Sequence, residues 1–160
     1  MSAQPLIFKL EKLLRLNQQL LKLAEAKTEA LKKGNLAVLQ QTLKQEHICV
    51  SAIKLAEKER IQLTFAYLGR DHDLTLSACI EKAEGEDKVQ FAQLLSSLTD
   101  VMDKLKHANK LNQQLTVQAL QFVSLSLDML MPKEESPAYK PPGLSAAAQP
   151  KRKSLFDSKA

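Results

Sequence analysis

The chain has 160 residues, 44% of them hydrophobic, which is the size of one domain and enough apolar matter to bury a core. Aromatics make up only 4%, tryptophan is absent and four glycines leave little turn chemistry for a sheet, so the composition reads as all-α. The net charge of +5 is uneven, and four scattered arginines without aromatic readers argue against a nucleic-acid surface.

Residues 1–70 carry twelve basic and six acidic side chains, whereas residues 71–131 carry five and nine. This split predicts a basic first half lying beside an acidic last helix, with exposed pairs of modest worth between them. Lys9, Glu11, Lys12 and Arg15 interrupt the N-terminal apolar run before it reaches the length of a secretory signal. No stretch is long and apolar enough to insert in a membrane. Cys49 and Cys79 lack a CxxC partner, which fits reduced, semi-buried thiols in a cytoplasmic protein.

Pro5 suits the first turn of a helix, where its missing N–H is no loss, and Leu6, Ile7, Leu10, Leu13, Leu14, Leu20 and Leu21 supply its apolar face. The helix is expected to end at KKGN. Lys32 and Lys33 favour the carbonyl end, Gly34 can take the left-handed cap, and Asn35 can cap the next helix. A second helix follows from Leu36 to about Leu68, with Leu36, Leu39, Leu43, Val50, Ile53, Ile61 and Leu68 read as one stripe. Its polar middle, Glu46, Glu57 and Arg60, suggests edge ion pairs, and Gly69 closes it.

Residues 70–85 read as a connector with one short helix, Leu74 to Ala83, capped by Asp73 or Thr75. The DHD at residues 71–73 lacks a second cluster at ligand spacing and reads as loop polarity rather than a metal site. His47 and His107 are isolated on helices and read as boundary residues.

The last helix, Glu86 to Met131, contains neither proline nor glycine and organises the rest. Phe91, Leu94, Leu98, Val101, Leu105, Ala108, Asn112, Leu115, Ala119, Phe122, Ser126 and Met129 recur at alternating threes and fours, a heptad seam. A second row, Leu95, Met102, Asn109, Thr116, Val123 and Leu130, is expected to widen it into a bundle stripe. At about 1.5 Å per residue the second helix is roughly 50 Å long and the last roughly 69 Å. If they run antiparallel with Glu86 beside Gly69, the partner ends near residue 120 and the apolar segment LQFVSLSLDMLM projects. Such a tip needs a cover: the connector helix, a second copy, the folded-back tail, or a helix of another protein, for which methionines provide adaptable packing.

Residues 132–160 hold five of the six prolines and read as a disordered tail, with Tyr139 in AYKPPG and Leu155 and Phe156 in KSLFDSKA as apolar islands. No GxSxG, phosphate-binding glycine loop, HExxH or paired-carboxylate pocket is present, so neither catalysis nor a cofactor is expected. The reading is therefore an elongated antiparallel bundle of three long helices plus a short connector over residues 1–131, followed by a flexible tail.

The segments LEKLLRLNQQLLKLAEAKTEALKKGN, ICVSAIKLAEKERIQL and NKLNQQLTVQALQFVSLSLDMLMP, with AYKPPG and SLFDSKA after them, resemble the FlgN family of flagellar export chaperones. The resemblance spans almost the whole chain. It implies a cytosolic chaperone that binds hook-associated (hook-filament junction) proteins, keeps them soluble and delivers them to the type III export gate, with no nucleic acid and no cofactor. It places client binding on the last helix, at Asn109, Asn112, Leu115, Ala119, Phe122, Val123, Leu125, Leu127, Met129, Leu130 and Met131. It assigns binding of the export gate's cytoplasmic domain to Tyr139 and Gly143; the two prolines between them depart from the family pattern and stiffen the segment. Two other readings stay open, a self-assembling coiled coil joined through the projecting tip and a helical nucleic-acid adaptor using the basic tail.

Overall fold

A computed structural model describes residues 2–131, and among these it contains four helices and no strand. They are α1 (Gln4–Lys33), α2 (Leu36–Leu68), α3 (Leu76–Lys82) and α4 (Gly85–Leu130). The Pro-rich segment, with Tyr139, Gly143, Leu155 and Phe156, lies outside the described residues.

The turn chemistry works as the residue types require. Gly34 is left-handed at φ 65°, and the Asn35 amide donates back to the Ala30 carbonyl at 3.0 Å, closing the end of α1. The Asn35 side chain then accepts from the Val38 amide at 3.2 Å and opens α2. Gly69, also left-handed, ends α2, its amide donating to the Phe65 carbonyl at 2.8 Å. The connector helix is shorter than the sequence suggests. Thr75, not Asp73, caps it by accepting from the Ala78 amide at 3.2 Å, while Asp73 takes a positive φ of 51° and accepts from Thr75 Oγ1 at 2.9 Å.

α1 is the middle helix. It forms an antiparallel hairpin with α2 and runs parallel to α4, so that Leu6 and Ile7 sit by Phe91, and Thr28 sits by Asn112. No Cα of α2 comes within 8 Å of one in α4. The two helices meet at the base through the rings of Tyr67 and Phe91, 5.7 Å apart and tilted by 54°. That base is the main core, with Leu6, Ile7, Leu10, Tyr67, Cys79, Ala83, Phe91 and Leu94, and α3 closes it from below. Burial pushes the Cys79 thiol up, as it does the Tyr67 hydroxyl, and Lys82 Nζ stands 5.1 Å over the Tyr67 ring while donating to the Tyr67 carbonyl. A second cluster, Ala24 with Val101 and Leu105, continues up the α1–α4 seam.

Three expectations need correction. The stripe read on α2 is not its buried face: Leu36, Leu43 and Ile61 are exposed and Leu39, Val50, Ile53 and Leu68 only half-buried, whereas the buried face is Thr42, Cys49, Ala56, Thr64 and Tyr67. Small side chains let the two backbones approach closely, and the buried hydroxyls satisfy themselves on carbonyls one turn back, Thr42 on Val38 and Thr64 on Arg60, each at 2.8 Å. The Cys49 thiol donates to the Leu16 carbonyl at 3.3 Å, and burial raises its pKa. The charge split likewise does not join α1 to α4. The cross-helix ion pairs link α1 to α2, Lys27 to Glu46 at 3.2 Å and Lys9 to Glu59, whose carboxyl is held below its ordinary pKa mainly by the Lys9 hydrogen bond. The acidic surplus of residues 71–131 lies largely in the connector, and α4 itself is nearly neutral. Finally, the second row on α4 is not a widened stripe. Met102, Asn109, Thr116, Val123 and Leu130 are exposed because α2 lies on the far side of α1.

Candidate functional site

The helix that carries the candidate site changes surroundings along its length. From Phe91 to Asn112 its seam is covered by α1, with Phe91, Leu94, Val101, Leu105 and Asn112 buried and Leu98 and Ala108 half-buried. Thr28 lies level with Asn112, so by the same register Lys33, the last residue of α1, lies level with Val117. Nothing in α1 reaches further. Among the described residues, Val117 to Leu130 therefore runs on alone for about 20 Å, at 1.5 Å per residue. The projection exists as the sequence predicts, but α1 defines its start rather than α2, and it begins a few residues earlier.

A buried polar lock marks the last turn before the projection. Asn112 Nδ2 donates to the Ala24 carbonyl at 2.9 Å, and Thr28 Oγ1 lies 2.5 Å from Asn112 Oδ1 and 3.0 Å from the Ala24 carbonyl. Every polar atom of the Asn112 side chain is thereby used at an otherwise apolar seam, an arrangement that fixes register in paired helices. Thr116 completes the turn, its hydroxyl donating to the Asn112 carbonyl at 2.7 Å.

Beyond the lock, the side chains at the same heptad spacing face solvent. Phe122 is 71% exposed, Met129 79% and Leu130 80%, and Val123, Leu125, Leu127 and Met131 are exposed as well. Ala119 is exposed, Leu115 half-buried and Ser126 half-buried. Of the residues assigned from sequence, Asn112 stands apart because it is committed to α1, while Asn109 lies exposed on another row. Val117 and Leu120 are also exposed on the tip; Leu120 opens the segment expected to project but is not among the residues assigned to client binding, and Val117 is in neither. Neither belongs to the seam or its second row, and only the absence of a neighbour among the described residues makes them part of the surface.

Electrostatics set the tip apart too. Between Leu111 and Leu130 the only charged side chain is Asp128, whereas the turns below carry Asp100, Asp103, Lys104, Lys106 and Lys110. Lys104 pairs with Asp100 at 2.9 Å, which raises its pKa at an exposed position. The tip therefore offers an almost uncharged helix, apolar over most of its circumference, that can bury apolar surface of a partner. Elsewhere, His72 Nδ1 lies 3.3 Å from Asp71 and Asp73 pairs with Arg70 at 2.8 Å. No group of three or more His, Cys, Asp or Glu side chains that could hold a metal occurs among the described residues. No helix among them is long and apolar enough to cross a membrane.

Comparison with known proteins places this geometry in context. A family model described as FlgN protein matches residues 1–147. The chain is 43% identical over 160 residues, the full length of both proteins, to a Bacillus subtilis (strain 168) protein named "Uncharacterized protein YvyG". No solved structure matches.

Proposed function

Because the chain belongs to the FlgN family, whose members are flagellar export chaperones, we propose that it binds hook-filament junction proteins and hands them to the type III export gate. The observation that carries this reading is the bare tip of α4, where seven large apolar side chains from Phe122 to Met131 face solvent without a partner among the described residues.

The mechanism needs no chemical step. A client segment whose apolar face would otherwise promote aggregation lies along Ala119, Phe122, Val123, Leu125, Leu127, Met129, Leu130 and Met131, and both surfaces leave water together. Phe122 is the anchor, a large ring placed early in the projection. Met129 and Met131 provide unbranched, polarisable side chains that repack around different clients. Leu115 joins the edge of this surface, and Asn109, exposed just below it, can offer a polar contact. Asn112 acts one step back, holding α4 to α1 so that the tip is presented at a fixed height. In the tail, Tyr139 and Gly143 form a separate contact to the cytoplasmic domain of the export gate. Tethering keeps that contact near its target at raised effective concentration while the client is held.

The test uses the full chain with a purified hook-filament junction protein. Phe122→Asp with Leu130→Asp is expected to abolish capture while circular dichroism remains unchanged. Undiminished capture would refute the site. Tyr139→Ala is expected to spare client capture and weaken gate binding, and equal loss of both would mean the tail is not an independent arm.

A further inference from the structure

The side of α2 turned away from α1 is a second seam. The face against α1 is set by Thr42, Cys49 and Ala56. Two residues further along at each repeat, about 200° around a helix of 3.6 residues per turn, lie Lys44, Ser51 and Lys58, pointing directly away from the bundle. With the neighbouring row they form Lys44, Ile48, Ser51, Leu55, Lys58, Gln62 and Phe65 at alternating fours and threes, the spacing of a helix-packing seam. All seven are exposed, Ile48 at 69% and Leu55 at 60%. Aliphatic residues thus recur on both sides of α2, but among the described residues only one side has a neighbour.

Charge identifies what the free side fits. The three acidic residues of α2 are all engaged near the bundle: Glu46 pairs with Lys27, Glu57 with Arg60 at 2.7 Å, and Glu59 with Lys9. The outward rows contain no acid. They carry Lys44 and Lys58, with Lys54 on the flank beside them, none of which joins an ion pair among the described residues. The seam is therefore an aliphatic centre, Ile48 and Leu55, bounded by unpaired ammonium groups two heptads, or about 21 Å, apart along the helix axis.

We propose that this outer face of α2 docks an amphipathic helix of a partner protein, with aliphatic side chains in its middle and carboxylates about two heptads apart. The aliphatic centre buries against Ile48 and Leu55, and the carboxylates meet Lys44 and Lys58, which sets register and orientation more than affinity. A bilayer is the poorer fit. Two aliphatic side chains hemmed by three lysines make no continuous apolar face to embed. The surface is separate from the tip of α4, so a client there and a helix here can be held together.

A fluorescent 21-residue helical peptide with leucines at the matching central positions and glutamates two heptads apart tests the proposal on the full chain. Binding by anisotropy is expected in the micromolar range. It should weaken at least tenfold for Lys44→Glu with Lys58→Glu and recover when the peptide carries lysines in place of its glutamates. Ile48→Asp with Leu55→Asp should remove binding of either peptide, and circular dichroism verifies that each variant is folded. The Phe122→Asp, Leu130→Asp variant should bind the peptide as the native chain does; loss there would place the peptide on the tip and overturn the assignment. It is also overturned if the native chain binds neither peptide, if it binds both equally, if phosphatidylglycerol vesicles are bound in preference to the acidic peptide, or if light scattering shows a dimer that Ile48→Asp dissolves.

Discussion

The lower and upper parts of α4 share one sequence pattern and have opposite fates. Phe91 and Phe122 occupy the same kind of seam, yet Phe91 is wholly buried and Phe122 is mostly in water. The difference lies in the neighbour: α1 ends at Lys33, level with Val117, and the seam of α4 does not. A heptad pattern states that a helix can be covered along one side, and the length of the helix beside it decides how much of that side is used. On the proposed function, the unused remainder is the part that meets the client.

The contrast breaks most clearly with matched phenylalanine substitutions. Phe91→Ala removes a ring from the closed base and should lower stability by about 3–5 kcal/mol in urea unfolding, enough to leave many molecules unfolded. Phe122→Ala removes the same atoms from solvent and should change stability by about 0.5 kcal/mol or less. Capture of hook-filament junction proteins should nonetheless fall at least tenfold. Similar losses of stability at both positions would mean the tip is packed in solution.

A smaller effect separates the two asparagines. Asn112→Ala removes the bonds from Asn112 to Thr28 and to the Ala24 carbonyl and opens a gap at the lock, so it should cost about 1–3 kcal/mol in the same unfolding experiment. Asn109→Ala, three residues away on an exposed row, should be near neutral for stability. Equal effects would contradict the register seen between α1 and α4.

Thiol reactivity and pH provide finer comparisons. Cys49 and Cys79 are buried with their pKa values raised by desolvation, so both should resist alkylation at neutral pH until denaturant opens the bundle. A cysteine placed at Ser126 on the tip should react in the folded protein. The smallest expected effect is that of Glu59, whose pKa is lowered by Lys9. A lowered folded pKa stabilises the fold above the ordinary carboxylate value, and that contribution fades as pH falls through the depressed one. The difference in melting temperature between the native chain and Glu59→Gln should therefore be small at pH 7 and close on acidification; a difference that widens instead would contradict the pairing.

Much of this was legible in the sequence. Helix boundaries follow from local signals: Gly34, Asn35 and Gly69 leave few alternatives for the caps, and the seam from Phe91 to Asn112 can be counted off directly. The face of α2 was not legible, because Leu36, Leu43 and Ile61 outweigh Thr42, Cys49 and Ala56 on any hydrophobic count, while close approach of backbones selects the small residues. The position of α1 between the other two long helices was hidden for a related reason. Apolar side chains on more than one side of a helix reveal that it has two neighbours, but not which. The projecting tip could be inferred from length alone; that Asn112 belongs to the bundle rather than to the tip depends on Thr28, 84 residues earlier in the chain.

Hydrogen exchange across α4, with and without a helical segment of a hook-filament junction protein, tests the central claim most directly. Amides of residues 91–112 should exchange slowly in both states, because opening them requires opening the base. Those of residues 117–130 should exchange quickly in the free chain, where none of the other described helices packs on α4, and become strongly protected when the segment is added. Slow exchange at the tip of the free chain, or a tip that stays fast in the presence of saturating client segment, would contradict it.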